Sequence, residues 1–432
     1  MREDWKEIEL GNICFTTSGG TPSRQNKSFY EGNIPWVKSG ELDKGIILDS
    51  EEHITEEAIK KSSAKVFPKG TLLFALYGAT IGKMATLGVE AATNQAICGI
   101  YENDILISKY LYHYLSNKKR KLIGQGIGGA QPNISQTILK KLIIPISPLP
   151  EQRAIVAKIE ELFSDLDKGI DDLKKAQAQL VIFRQAVLKK AFEGELTNTQ
   201  MTPRTLDSLT SIITKGASPK WQGFDYTTDS NQLLFVTSEN VREGYISLEK
   251  EKYLPVGFNE VQKRSVLQKG DVLFNIVGAS IGRAAIFELD KLSNINQAVA
   301  LIRLDEEVLN QYVNYFLNSE GAKQEYLKKQ VEVARANLSL QNVKDIEIPF
   351  CNVDEQRIVI QEIESRLSVC DTVEQSIAES LEKAKALRQS ILKKAFEGTL
   401  LSAEEIAACK AAPDYEPASV LLEKIKAEKK KP

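Results

Sequence analysis

The chain has 432 residues, 42% hydrophobic and 26% charged, which excludes a disordered or fibrous protein and fits two to three globular domains. Lys and Arg number 56 against 58 Asp and Glu, a formal charge of -2, so bulk charge by itself points to no nucleic-acid partner. Two histidines (His53, His113) and five scattered cysteines (Cys14, Cys98, Cys351, Cys370, Cys409) argue against a His-centred triad, a zinc site or a redox pair.

The sequence is a duplication. Residues 151–196 align without a gap to residues 355–400, with 17 identities in 46 positions that include all of LKKAFEG. Before each of these segments lies a mixed region. KGTLLFALYGATIGK (69–83) faces KGDVLFNIVGASIGR (269–283), GGTPS (19–23) faces GASPK (216–220), and NQA recurs at Asn94 and Asn296. Short β-rich runs such as GTLLFALYG alternate there with helical stretches such as ISKYLYHYLSNKKRKLIG and LNQYVNYFLNSEGAKQEYLKK. The expected order is an α+β unit over 1–147, a long helix over 148–198, a second α+β unit over 199–350, a second long helix over 351–400, and a helical tail over 401–432.

Heptad spacing marks the two helices as coiled-coil rods. In the first, Ile159, Leu166, Leu173, Leu180 and Val187 hold one register, and Ile155, Leu162, Gly169, Ala176 and Phe183 the other. In the second, Ile363, Cys370, Ile377, Ala384 and Ile391 hold the first register. The alternate positions there, Val359, Arg366, Val373, Ser380 and Leu387, are weaker and partly polar. Gly194 and Gly398 fit C-terminal caps. Rods of roughly 65 to 70 Å need partners. An antiparallel pair of the two copies gives a pseudo-twofold dumbbell; the other arrangement lays each rod on its own globular unit.

Motif chemistry is sparse. GATIGKM (78–84) lacks the spacing of a phosphate-binding loop, and a glycine-framed turn between strands is the favoured reading. No adenosylmethionine or dinucleotide fingerprint stands out, and the acidic pairs Glu51–Glu52 and Asp171–Asp172 read as solvated surface. Divided by region, 1–147 carries 18 basic and 15 acidic residues, net +3, with a run Lys118-Lys119-Arg120-Lys121, whereas 199–350 carries 17 and 19, net -2. Such a run is a solvated helix end or a phosphate contact. The absence of an apolar span or leader core leads to the expectation of a cytoplasmic protein.

Taken together, the doubled GATIG, NQA and LKKAFEG segments and the tail PASVLLEKIKAEKKK resemble the specificity subunit of type I restriction-modification systems, over essentially the full length. The resemblance implies an α+β fold of two target-recognition domains related by pseudo-twofold symmetry and separated by two long antiparallel coiled-coil helices. It implies a non-catalytic reader of double-stranded DNA, each domain taking one half of a bipartite asymmetric target. The helices would set the spacer and dock two methyltransferase subunits, which translocase/endonuclease subunits then join. This chain would hold no catalytic residue, cofactor or metal; S-adenosylmethionine, ATP and Mg would belong to the partners.

Positions that differ between matched segments are candidates for base readout: Arg24, Gln25, Lys38, Tyr77 and Gln131 in the first unit, and Lys220, Trp221, Thr237, Asn275 and Arg335 in the second. Thr21, Ser23, Thr80, Lys83, Ser218, Ser280 and Arg283 are further DNA-binding candidates. Glu151, Gln152 and Arg153, with Glu355, Gln356 and Arg357, are candidates for docking the partner subunits. Two other functions remain open at this point: a protein-protein interaction scaffold without DNA specificity, and a stand-alone DNA methyltransferase.

Overall fold

The computed structural model describes residues 2–124, 133–328 and 337–428. Two compact units emerge: one joins residues 1–172 to 380–432, the other spans 173–379. Each boundary falls inside a long helix, Leu149–Phe192 or Val353–Glu397. Each unit therefore owns one mixed domain and a segment of both helices.

The first unit holds two larger sheets with the spatial strand orders 16–18, 97–100, 72–75, 84–87, 46–47 and 53–54, 34–37, 91–93, 66–67. In a separate two-stranded sheet Lys6–Glu9 pairs antiparallel with Ile143–Ile146, immediately before the first long helix. The second unit repeats the plan with 210–215, 299–304, 272–275, 284–286 and with 253–254, 233–236, 293–295. Thr202–Thr205 pairs with Glu347–Phe350 ahead of the second long helix. Register is shared too: Leu72 faces Ile100 as Val272 faces Ile302.

The repeated motifs turn out to be folding devices. Gly78 and Gly82, like Gly278 and Gly282, have positive φ, which only glycine adopts at low cost. In each copy the second glycine closes the turn, Gly82 N–H donating to Ala75 C=O at 2.9 Å and Gly282 N–H to Asn275 C=O at 3.0 Å. The glycine-framed turn between strands is thus observed. The asparagine of NQA caps its own turn, Asn94 Oδ1 accepting from Ala96 N–H and Asn296 Oδ1 from Ala298 N–H. The helical stretch at 310–328 divides into Asn310–Leu317 and Glu320–Lys328. Asn318 stands at the break and bonds both the N–H and the C=O of Ala284.

In the first unit, Ile155 and Ile159 of one helix and Ile391, Leu392 and Phe396 of the other join the domain core, as do Leu401, Ala418 and Leu421 of the tail. Phe396 lies edge-on to Tyr110 and Tyr114 with centroids 5.1 and 5.0 Å away. Phe192 repeats this against Tyr312 and Phe316 in the second unit. Early residues of each helix meet late residues of the other, so within each unit the two segments run antiparallel and also lie on the domain. Within each unit, antiparallel pairing of the helix segments and packing of helix on domain thus occur together.

The seam is narrower than the heptads suggest. Ile363, Cys370, Ile377, Ala384 and Ile391 are all buried. In the alternate register Val359 is buried, yet Phe183, Val373 and Leu387 are exposed, because two helices cover only one stripe of each other. Gly194 and Gly398 end the helices at φ 78° and 77°, as C-terminal caps should. All five cysteines are buried, and none is joined in a disulfide. Among the described residues no helix is long and apolar enough to cross a membrane.

Candidate nucleic-acid interface

The loop GGTPSRQ leaves the first unit's core at Gly19, where a Cβ would collide with Thr93. It is tied down by Gly20 N–H to Thr93 C=O and by Trp36 Nε1–H to Gly20 C=O at 3.0 Å. Pro22 is buried, whereas Thr21, Ser23, Arg24 and Gln25 are exposed. The Thr21 hydroxyl bonds Gln95 Oε1.

Arg24 and Lys38 are brought together by a residue that sequence reasoning assigned to solvent. Glu52 accepts from Arg24 Nη1 at 2.5 Å and from Lys38 Nζ at 3.0 Å; Lys38 also reaches Glu51 at 3.1 Å. These bonds hold the Glu52 carboxyl below its ordinary range, Arg24 contributing most, and raise Arg24 and Lys38. The Arg24 guanidinium lies 4.3 Å from the Tyr30 ring centroid and 5.0 Å from that of Trp36. Such stacking fixes its plane. Behind Lys38, buried Glu41 accepts from the Lys38 and Glu51 N–H groups, from Ser50 and from Lys44. That network orders the whole 38–51 segment. An acidic run gives no hint of this in one dimension, because its cations lie far off in sequence.

At the GATIG turn, Tyr77 is half-buried and bridges to Asn133. Lys83 Nζ bonds Asp43 at 3.0 Å, and its N–H donates to Thr80 C=O. The aliphatic stem of Lys119 lies against Gly82, which adds the basic helix end to the same surface.

In the second unit Ser218 and Arg283 are half-buried, Lys220 is exposed, and Trp221 is 86% exposed. Ser280 sits in the turn that matches Thr80. Thr237 and Asn275 require correction as DNA contacts, because both are buried. Asn240 Oδ1 accepts from the Thr237 N–H and hydroxyl. Asn275 Nδ2 donates to the Ser238 and Val241 carbonyls. Gln131 and Arg335 lie outside the described residues.

The docking candidates divide in the same way. Glu151, Gln152 and Gln356 are fully buried and are corrected as partner contacts. Glu151 accepts from Trp5 Nε1–H at 2.8 Å and Arg2 Nη1–H at 3.0 Å. Arg153 and Arg357 are exposed, bonded to Asp414 and Asp354, and Glu355 is half-buried, capping Asn352. Among the described residues no group of three or more His, Cys, Asp or Glu could hold a metal.

Residues 2–175 and 203–383 match the family model described as the type I restriction modification DNA specificity domain. The chain belongs to this family. Like other specificity chains, it is a reader of DNA sequence and not itself the catalyst. It is 28% identical to the Escherichia coli type I restriction enzyme EcoBI specificity subunit, covering 99% of this chain and 93% of that one. To the EcoKI specificity subunit of Escherichia coli K12 it is 24% identical, covering 99% and 96%. Among solved structures, a chain from a type I R-M system studied for complex assembly and conformational transition superposes with a TM-score of 0.73 at 20% identity, covering 93% of this chain and 99% of that one. The HsdS subunit from Thermoanaerobacter tengcongensis gives 0.60 at 20% identity, covering 93% and 98%. These two likenesses speak for the specificity-subunit fold alone.

Proposed function

We propose that this chain is the sequence-recognition subunit of a type I restriction-modification complex. Each mixed domain reads one half of a bipartite, asymmetric DNA target, while the long helices set the spacer and dock two methyltransferase subunits. Translocase/endonuclease subunits complete the assembly, and S-adenosylmethionine, ATP and Mg are bound by the partners. The complex works in the cytoplasm.

One observation carries this reading: two copies of a single loop framework present different side chains. The first unit presents exposed Arg24 and Gln25 and half-buried Lys38, whereas the corresponding positions of the second present exposed Lys220 and Trp221. A duplicated framework with divergent tips suits two half-sites of unlike sequence, since base edges are told apart by donor, acceptor and methyl patterns. Thr21, Ser23, Thr80 and Lys83, with Ser218, Ser280 and Arg283, supply polar and phosphate contacts that position without reading sequence. Arg153 and Arg357 remain for docking.

The test is a domain exchange. Replacing residues 1–147 by the corresponding domain of another family member, and mapping methylated adenines genome-wide, should change one half-site only. A change in both halves, or in spacing alone, would defeat the proposed division. An interaction scaffold would leave the methylation pattern untouched, and methyl transfer by the isolated chain would favour a stand-alone methyltransferase.

A further inference from the structure

Arg24 and Trp221 occupy one position in two copies of the same loop. GGTPSR (19–24) and GASPKW (216–221) align without a gap. In both, the leading glycine is required by a close approach: a Cβ on Gly19 would collide with Thr93, and one on Gly216 with the Ile295 carbonyl. Pro22 and Pro219 are both buried. The backbone thus leaves each core at the same point and lifts the sixth residue to the same part of each domain's surface. Arg24 lies over an aromatic floor, Tyr30 on Trp36 with centroids 5.7 Å apart; the second unit holds a corresponding pair, Tyr226 and Phe235, at 6.1 Å.

The two side chains have opposite chemistry. Arg24 is stacked on its floor and bonded through Nη1 to Glu52; Nε and Nη2 have no partner among the described residues. Trp221 is 86% exposed. Its turn is nonetheless firm. The Gln222 and Phe224 N–H groups both donate to Pro219 C=O, at 2.9 and 3.0 Å. Gly223 takes a left-handed φ of 78°, and Phe224 packs edge-on to Phe258 with centroids 5.4 Å apart. A lone exposed aromatic is ordinary on a protein surface. This one differs in being held out on a braced turn, at the position where the other copy holds out a braced arginine.

In the major groove the C5-methyl of thymine is the apolar mark, and the O6/N7 pair of guanine is the mark a guanidinium fork fits. We infer that Trp221 reads a thymine by packing its indole on the C5-methyl group, and that Arg24 reads a guanine in the other half-site through its unused donors. The inference rests on the DNA-reading function proposed above and adds the base chemistry that each loop selects.

The test uses the full chain assembled with its methyltransferase subunits, on the duplex whose sequence methylation mapping identifies. Each thymine of the half-site read by residues 199–350 is replaced in turn by deoxyuridine, which removes only the methyl group. Wild-type affinity should fall about fourfold at one such position, the worth of one buried methyl. W221A should bind the thymine duplex that much more weakly and lose nothing further with deoxyuridine, while W221F should retain part of the sensitivity. In the other half-site, 7-deazaguanine at one position should cost the wild type about tenfold and R24A nothing more. The assignment is overturned if no deoxyuridine weakens the wild type, if W221A stays sensitive to it, or if the sensitive thymine belongs to the half-site that changes when residues 1–147 are exchanged. A wild-type complex that binds every sequence alike would remove the DNA-reading function, and this assignment with it.

Discussion

Gln152 and Gln356 make the same three hydrogen bonds in the two units. Gln152 Nε2 donates to the Ile105 and Ser147 carbonyls, both at 2.8 Å, and its Oε1 accepts from Ile107 N–H at 3.0 Å. Gln356 Nε2 donates to Glu307 and Cys351 at 3.1 and 2.8 Å, and its Oε1 accepts from Leu309 N–H at 2.8 Å. Each long helix is thereby locked at its first turn to the segment that enters a helix of its own domain. Both side chains are fully buried, and truncation leaves backbone groups without partners or water. Q152A and Q356A should each cost about 3 kcal/mol, seen as lost hydrogen-exchange protection confined to the unit that carries the change. Equal loss in both units would contradict the local role.

The second unit contains an ion pair that the first replaces with neutral residues. Asp271, 2% exposed, accepts from Arg303 Nε at 2.7 Å and Nη2 at 2.8 Å, and this bond raises the Arg303 pKa. By strand register Thr71 and Tyr101 stand at these places in the first unit. D271T alone strands a partly buried guanidinium and should destabilise by about 3 kcal/mol. The double variant D271T/R303Y should recover most of that in urea unfolding, because the other copy already packs this neutral pair. A double variant as unstable as D271T would refute the equivalence.

His113 confers an acid sensitivity that the second unit lacks, since both histidines lie in the first. Burial pushes its pKa down to about 4 against an ordinary 6.5; Lys109 and Arg388 act the same way and Glu160 opposes them. Its Nδ1 has no hydrogen-bond partner among the described residues, and the ring lies edge-on to Tyr112 and Phe163. The unfolded chain takes up the proton first. The stabilisation is therefore complete above pH 6.5 and is lost as pH falls toward 4, by at most about 3 kcal/mol. In H113F the drop in melting temperature between pH 7 and pH 5 should shrink; an unchanged drop would place the titration elsewhere.

The duplication, the two rods and the glycine caps at Gly194 and Gly398 were legible because each is written in local sequence or in a fixed period. Glu52 was not, since its role comes from Arg24 and Lys38, which folding alone brings to it. Thr237 and Asn275 show the limit of reading difference as function. Asn275 matches Ala75, and the change is absorbed inside the domain by bonds to Ser238 and Val241. A position can diverge between repeats because its neighbours diverged with it, and burial separates that case from an exposed position such as Arg24.

The helix stripe bears on target spacing. Ile363, Cys370, Ile377, Ala384 and Ile391 are buried along the second helix. Charged contacts flank the stripe, Arg388 to Asp167 in the first unit and Arg184 to Asp371 and Glu374 in the second. A seven-residue insertion preserves such a stripe, whereas one of five or six residues turns it away. Seven residues added after Asp172 and seven after Glu379 would lengthen each helix by about 10 Å, equivalent to about three base pairs at 3.4 Å. If the helices set the spacer, methylation mapping of this double insertion should return both half-sites unchanged with a spacer longer by about three base pairs. Inserting the heptad in one helix alone mismatches the antiparallel pair and should abolish methylation. A double insertion that methylates at the original spacing would show that the spacer is set by something other than helix length.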